Sequence, residues 1–216
     1  MYTIVIGNKN YSSWSFRGWL TVRATGAAFE EILIPLDTEE WTATIGKFSP
    51  SGRVPVLIDG ETTIWDTMAI VESLAERHPE AALWPHDGEA RAHARSSSAE
   101  MHSGFMALRS AMPMNFRRPV QVLPLTEDVA KDVARISALW GDARDGFGHE
   151  GPYLYGDWSA ADIMFAPVVS RFRTYGVEVA PQLATYMEAV EAHPHYTEWR
   201  DAGLEESWII TADEID

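Results

Sequence analysis

Two adjacent hydroxyls, Ser12 and Ser13, lie in the stretch Asn10-Tyr-Ser-Ser-Trp-Ser-Phe-Arg17. Before it runs the β-branched apolar segment Tyr2 to Gly7; after it, Trp14 to Thr25 has helical spacing and is ended by Gly26. A strand-to-helix turn is therefore expected, with both serines at or near a helix N-terminus. Serines there do one of two things. They cap the helix by accepting a backbone N–H bond, or they join the unpaired N–H groups and the positive end of the helix dipole in holding an anion. Arg17 follows one turn into the same helix and adds a cation, whose other reading is a salt bridge from helix to sheet.

The 216-residue chain is long enough for one large domain or two small ones. Its 17 Lys and Arg against 32 Asp and Glu leave a formal charge of −15, a field that repels nucleic acid and anionic membranes. No basic leader precedes the first strand and no apolar run approaches the roughly 20 residues of a membrane span, so a soluble, cytoplasmic protein is expected. There is no cysteine, which excludes disulfides, thiolate metal sites and any reaction in which the protein supplies the thiol. The seven histidines show no zinc-type spacing, and no metal is expected.

After Gly26 the pattern predicts a strand over Phe29 to Leu36 and a short helix over Glu39 to Phe48, a βαβα opening that signals a partly parallel sheet. In Ser49-Pro-Ser-Gly-Arg-Val-Pro-Val-Leu-Ile58, Pro55 cannot donate to a ladder. It must start a strand, lie at an edge, or be cis. Asp59-Gly60 marks a hairpin, Thr62 to Trp65 its second strand, and Asp66-Thr67 the start of a helix that stops before Pro79. Residues 81–88 read as a linker. Beyond it the spacing predicts helices over Glu89 to Met112, Thr126 to Phe147, Ala160 to Tyr175, Gln182 to Ala192 and Tyr196 to Ala202, with the acidic tail Thr211 to Asp216 disordered. The expected division is residues 1–80, the linker 81–88, and an all-helical part 89–216.

This pattern resembles the glutathione transferase superfamily over nearly the whole chain, in its serine-type, zeta-like or related bacterial form. Three stretches carry the resemblance: Ser12-Ser-Trp-Ser-Phe-Arg17, Arg53-Val-Pro-Val-Leu57, and Asp66-Thr-Met-Ala-Ile70. It implies a thioredoxin-like N-terminal domain joined to an all-helical C-terminal domain. It also implies that Ser12 takes the catalytic place, with Ser13 capping the helix or sharing the contact and Arg17 supporting the sulfur anion. Val54 and a cis Pro55 would present backbone to the peptide part of glutathione, and Arg53 would meet its glycine carboxylate. Asp66 stands where relatives usually have Glu or Gln, one methylene longer; Thr67 keeps the hydroxyl at the γ-glutamyl end. Ser159-Ala-Ala-Asp162 resembles the family's structural capping box.

The implied chemistry is transfer: a serine hydroxyl stabilises the glutathione thiolate, which attacks a small hydrophobic electrophile. The acceptor pocket is less legible. Met101, Phe105, Met112 and Phe116 could line it or belong to the core. Arg117 and Arg118, or Arg171 and Arg173, could attract an acidic acceptor. Two other activities fit the same motifs: a glutathione-dependent cis–trans isomerase of the maleylacetoacetate type, and a non-catalytic glutathione or ligand carrier. Glutathione is the only cofactor expected, as co-substrate, and the resemblance implies a homodimer.

Overall fold

In the computed structural model, which describes residues 1–215, the run Tyr2–Ile6 forms strand β1. Ile4, Val5 and Ile6 are all buried, so both faces of β1 are covered and it lies inside the sheet. Around it are β2 (Phe29–Leu33), β3 (Val56–Asp59) and β4 (Thr62–Trp65), in the order β2-β1-β3-β4. β2 is parallel to β1, while β3 and β4 run antiparallel to their neighbours. Pro55 falls immediately before β3, where its missing N–H interrupts no ladder. β2 is shorter than expected because Pro35 cannot continue it and the Asn8 side chain takes the Leu36 N–H.

Helices α1 (Ser13–Ala24) and α3 (Thr67–Arg77) pack against each other. Phe16 and Leu20 of α1, with Ile70, Val71 and Leu74 of α3, are fully buried. A separate cluster joins Val5, Ile34, Ile45 and Val56 to Trp41 and Phe48. Trp41 lies in the short helix α2 (Glu39–Thr44), which passes into a 3-10 turn at Ile45–Lys47 where one continuous helix is expected.

The later helices are α4 (Gly88–Ser103), α5 (Met106–Ala111), α6 (Glu127–Phe147), α7 (Ala160–Thr174), α8 (Pro181–Ala192) and α9 (Pro194–Glu205). The single helix expected from Glu89 to Met112 is two. Gly104 ends α4, and a Cβ there would stand 2.8 Å from the Glu100 carbonyl. Phe105 then turns through a left-handed conformation at φ 61°. Every residue of α7 except Arg173 is buried, with the buried Asp162 and Arg171 held by hydrogen bonds. Trp140 of α6 packs on Phe165 and Phe172 of α7 and on Tyr186 of α8, with ring centroids 5.1–5.8 Å apart. No described helix is long and apolar enough to cross a membrane.

The chain sorts into two compact units whose first boundary, between Leu83 and Trp84, falls within the expected linker 81–88, while two later stretches return to the first unit. The first holds Met1–Leu83, Met114–Arg117 and the chain from Thr197 onward; the second holds Trp84–Pro113 and Arg118–Tyr196. The end of the chain belongs with the first unit because Trp199 stacks on Phe16 at 5.2 Å and Phe116 meets the same ring edge-on at 5.8 Å. The tail, expected to be disordered, is ordered over its described residues. Thr211–Asp213 form a 3-10 turn, and Glu214 accepts hydrogen bonds from Tyr11 and Asn115. Asp216 lies outside the described residues.

Candidate functional site

Strand register brings three turns to one end of the sheet. Val5 pairs with Val56 and Val56 pairs with Trp65, so the end of β1, the start of β3 and the end of β4 lie side by side. The turn into α1, the loop through Pro55 and the turn into α3 therefore share that end. Two helix N-termini open there.

At the first, Ser12 caps α1: its Oγ accepts from the Ser15 N–H at 3.3 Å and donates to Ser15 Oγ at 2.8 Å. Ser15 Oγ also accepts from the Gly7 N–H, tying the helix start to the end of β1. Ser13 is the first helical residue, and its hydroxyl has no hydrogen-bond partner among the described residues. The capping role has thus fallen to Ser12, and the uncommitted hydroxyl is that of Ser13. Arg17 is wholly buried, donating to the Ser13 carbonyl at 3.4 Å and stacking on Trp14 at 4.8 Å. Its cation therefore stands behind the first turn.

The Val54–Pro55 peptide is cis. Its loop is closed by Ser49, whose buried hydroxyl donates to the Arg53 carbonyl at 2.6 Å and accepts from the Arg53 N–H at 3.0 Å. Arg53 itself points to solvent. Pro55 presses on α1 at Gly18, where an added Cβ would lie 2.6 and 2.7 Å from Pro55 ring carbons. Gly18→Ala is expected to lower stability by about 1–3 kcal/mol through overpacking, read by chemical denaturation. An unchanged midpoint would mean that α1 and the loop can part freely.

At the second N-terminus, Asp66 caps α3 by accepting the Met68 N–H at 2.9 Å. Its backbone stands at φ 75°, ψ 134°, a region that costs a non-glycine residue about 1–3 kcal/mol and is retained mainly at functional sites. Thr67 is 1% exposed, and its Oγ1 has no hydrogen-bond partner among the described residues. A buried hydroxyl without a partner at a helix N-terminus is a donor in want of an acceptor.

The apolar residues considered for an acceptor pocket fall in both units. Met101, Phe105 and Met112 are buried within the second unit, whereas Phe116 packs on Phe16 in the first. The arginines are also dispersed. Arg173 forms an exposed ion pair with Glu191; Arg171 is buried and donates to the Met112 carbonyl. Arg118 lies over the Tyr175 ring, and Arg117 donates to the Tyr11 hydroxyl. Sequence reasoning passed over Ser15, Gly18 and Ser49. Their signals were present: a third serine one turn after the first, a glycine inside a helix, and a Ser-Pro before a glycine turn.

The N-terminal-domain model of glutathione S-transferase matches residues 11–77, and the C-terminal-domain model of the same family matches 98–202. A zeta-class glutathione S-transferase of Euphorbia esula is 27% identical over 199 residues, covering 88% of this chain and 85% of its own length. A probable maleylacetoacetate isomerase of Caenorhabditis elegans is 26% identical over 200 residues, covering 85% of this chain and 89% of its own. In fold, the chain is similar to a crystal structure of a glutathione transferase homologue from Burkholderia with bound glutathione, at a TM-score of 0.74 and 24% identity over 95% of this chain and 99% of that one. With a four-stranded mixed sheet followed by helices, and both domain models matched in order over most of its length, the chain belongs to the glutathione S-transferase family.

Proposed function

We propose that the protein activates the thiol of glutathione at the N-terminus of α1 and passes it to a small electrophilic acceptor. The observation that carries this reading is the pair of unpartnered hydroxyls, Ser13 and Thr67, each at a helix N-terminus and both at the sheet end where the cis Pro55 loop lies. A thiol with a pKa near 8.5 is mostly protonated at neutral pH. A hydrogen bond from Ser13, the dipole of α1 and the Arg17 cation all favour its thiolate. The serine donates and forms no bond to carbon.

The backbone of Val54 faces the peptide portion of glutathione in this reading, with Arg53 toward its glycine carboxylate. Thr67 and the N–H groups of α3 take the γ-glutamyl carboxylate, and the Asp66 carboxylate attracts its ammonium. In conjugation, sulfur forms a bond to carbon as the leaving group departs with its electron pair. Two subunits form a homodimer on the same reading, in the cytoplasm.

A second activity is favoured by one observation, the likeness to a probable maleylacetoacetate isomerase. There the thiolate adds to a cis double bond, the new single bond rotates, and sulfur leaves to restore glutathione. Assaying purified protein with glutathione against an activated aryl halide and against a maleyl keto acid separates the two. Consumption of glutathione with halide release supports transfer, and catalytic loss of the cis isomer at constant glutathione supports isomerisation. Neither reaction, with glutathione nonetheless bound, would leave a carrier and contradict the proposal.

A further inference from the structure

The loop that delivers the serines is held from the other end of the chain. Both carboxylate oxygens of Glu206 accept backbone N–H bonds, from Lys9 at 2.7 Å and from Asn10 at 3.0 Å. Trp199 donates its indole N–H to the Lys9 carbonyl at 2.9 Å. The Tyr11 hydroxyl, one residue before Ser12, donates to Glu214 at 2.5 Å and accepts from Arg117 at 2.7 Å. Arg117 also donates to the carbonyls of Glu206 and Trp208, and Asn115 links Asn10 to Glu214. Helix α9 comes so close that a Cβ at Gly203 would lie 3.1 Å from the Asn10 nitrogen. All these residues belong to the first unit.

We propose that the segment Trp199–Glu214 is a clamp that positions Ser12 and Ser13 for reaction, with Glu206 as its central positioning residue. A carboxylate holding two consecutive N–H groups fixes that peptide's orientation, as a fork does. Because these groups and the Tyr11 hydroxyl are satisfied from the C-terminal segment, none of them competes for the Ser13 hydroxyl. That hydroxyl stays directed to a ligand. Displacements of about 1 Å in a reacting group can cost on the order of a hundredfold in rate, so a loop fixed at the three consecutive residues Lys9, Asn10 and Tyr11 has catalytic consequences. The catalytic part of this inference rests on the glutathione reading above; the clamp itself does not.

The test uses the full chain and two substitutions, Glu206→Gln and Glu214→Gln. An amide offers one acceptor oxygen where Glu206 uses two. Glu214 is exposed, so its replacement keeps the fold even if the first variant does not. In the protein without ligand, amide exchange over residues 8–14 is expected to quicken about tenfold in Glu206→Gln and less in Glu214→Gln. With glutathione, kcat is expected to fall about tenfold and the bound thiol pKa to rise. Affinity for S-methylglutathione, which has no ionisable thiol, should stay within about twofold, since the Pro55 loop and Thr67 are untouched.

Unchanged exchange in the folded variants overturns the clamp. Faster exchange with an unmoved thiol pKa and kcat overturns its catalytic role. If the unmodified protein neither binds glutathione nor lowers its thiol pKa, the functional reading has failed, and the exchange result still decides the clamp.

Discussion

Replacing Ser13 by alanine is expected to raise the pKa of bound glutathione by about 1–2 units and to cut kcat/KM about 10–100-fold, since one donor to a developing or resident anion is worth that much. The argument is one of hydrogen-bond commitments. Ser12 already accepts from the Ser15 N–H and donates to Ser15 Oγ, which in turn holds the Gly7 N–H. The Ser13 hydroxyl, on the same helix end, is committed to nothing among the described residues. Ser12→Ala should therefore act mainly on stability, by about 0.5–2 kcal/mol as a lost N-cap, with a smaller change in kcat/KM through the shifted helix start. Steady-state kinetics and denaturant melts on the two variants separate the roles. If Ser12→Ala raises the thiol pKa and Ser13→Ala does not, the resemblance-based order, with Ser12 as donor, is right and Ser12 must leave its Ser15 bonds when glutathione binds.

The largest stability effect is expected at Asp162. This fully buried carboxylate accepts from the Leu154 N–H at 3.0 Å, the Ser159 N–H at 2.9 Å and the Ser159 hydroxyl at 2.9 Å, closing the capping box that starts α7. Asp162→Ala strands two buried backbone N–H groups and should cost about 2–4 kcal/mol, read as a lower denaturation midpoint. Burial pushes the Asp162 carboxyl up to about 6, against the opposing bonds from Leu154 and Ser159, which favour the ionised form.

The sign follows from which state holds the proton. Between about pH 4 and 6 the unfolded chain ionises this group while the folded chain retains its proton, so its contribution to stability falls as pH rises through that window. His193 works the other way. Burial, then the neighbouring His195, push it down to about 4, so its contribution is present above about pH 6.5 and lost as pH falls toward 4. The two slopes oppose each other over the same range. Asp162→Asn removes the first and leaves the second, so the variant should lose stability on acidification from pH 7 to 4 more steeply than the parent protein. Parallel pH profiles for the two would contradict the raised carboxyl.

The elements most legible in the sequence were those with a period or a breaker. The hairpin through Asp59-Gly60 and the strand Thr62–Trp65 form where the pattern puts them, and α1, α3, α6, α7 and α8 lie within a residue or two of their expected bounds. Pro55 announced itself by sitting in a β-branched run, and cis geometry was among its three readings. What stayed hidden depends on tertiary contact. Gly104 could have been a tolerated helix glycine, and only its approach to Glu100 with the left-handed Phe105 makes it a break. The tail read as disordered because acidic residues without apolar spacing carry no local signal; its order comes from Tyr11 and Asn115, some hundred to two hundred positions away. The choice between two adjacent serines turns on Ser15, whose role as bond partner to both Ser12 and Gly7 appears only once the strand end is folded against the helix start.

The most direct test of thiol activation is the ultraviolet absorbance of glutathione thiolate bound to the unmodified protein, titrated from about pH 5 to 9, with binding followed by calorimetry. The account predicts saturable binding and a bound thiol pKa at least about one unit below the free value near 8.5. Binding with an unshifted pKa, or no binding at all, would contradict it.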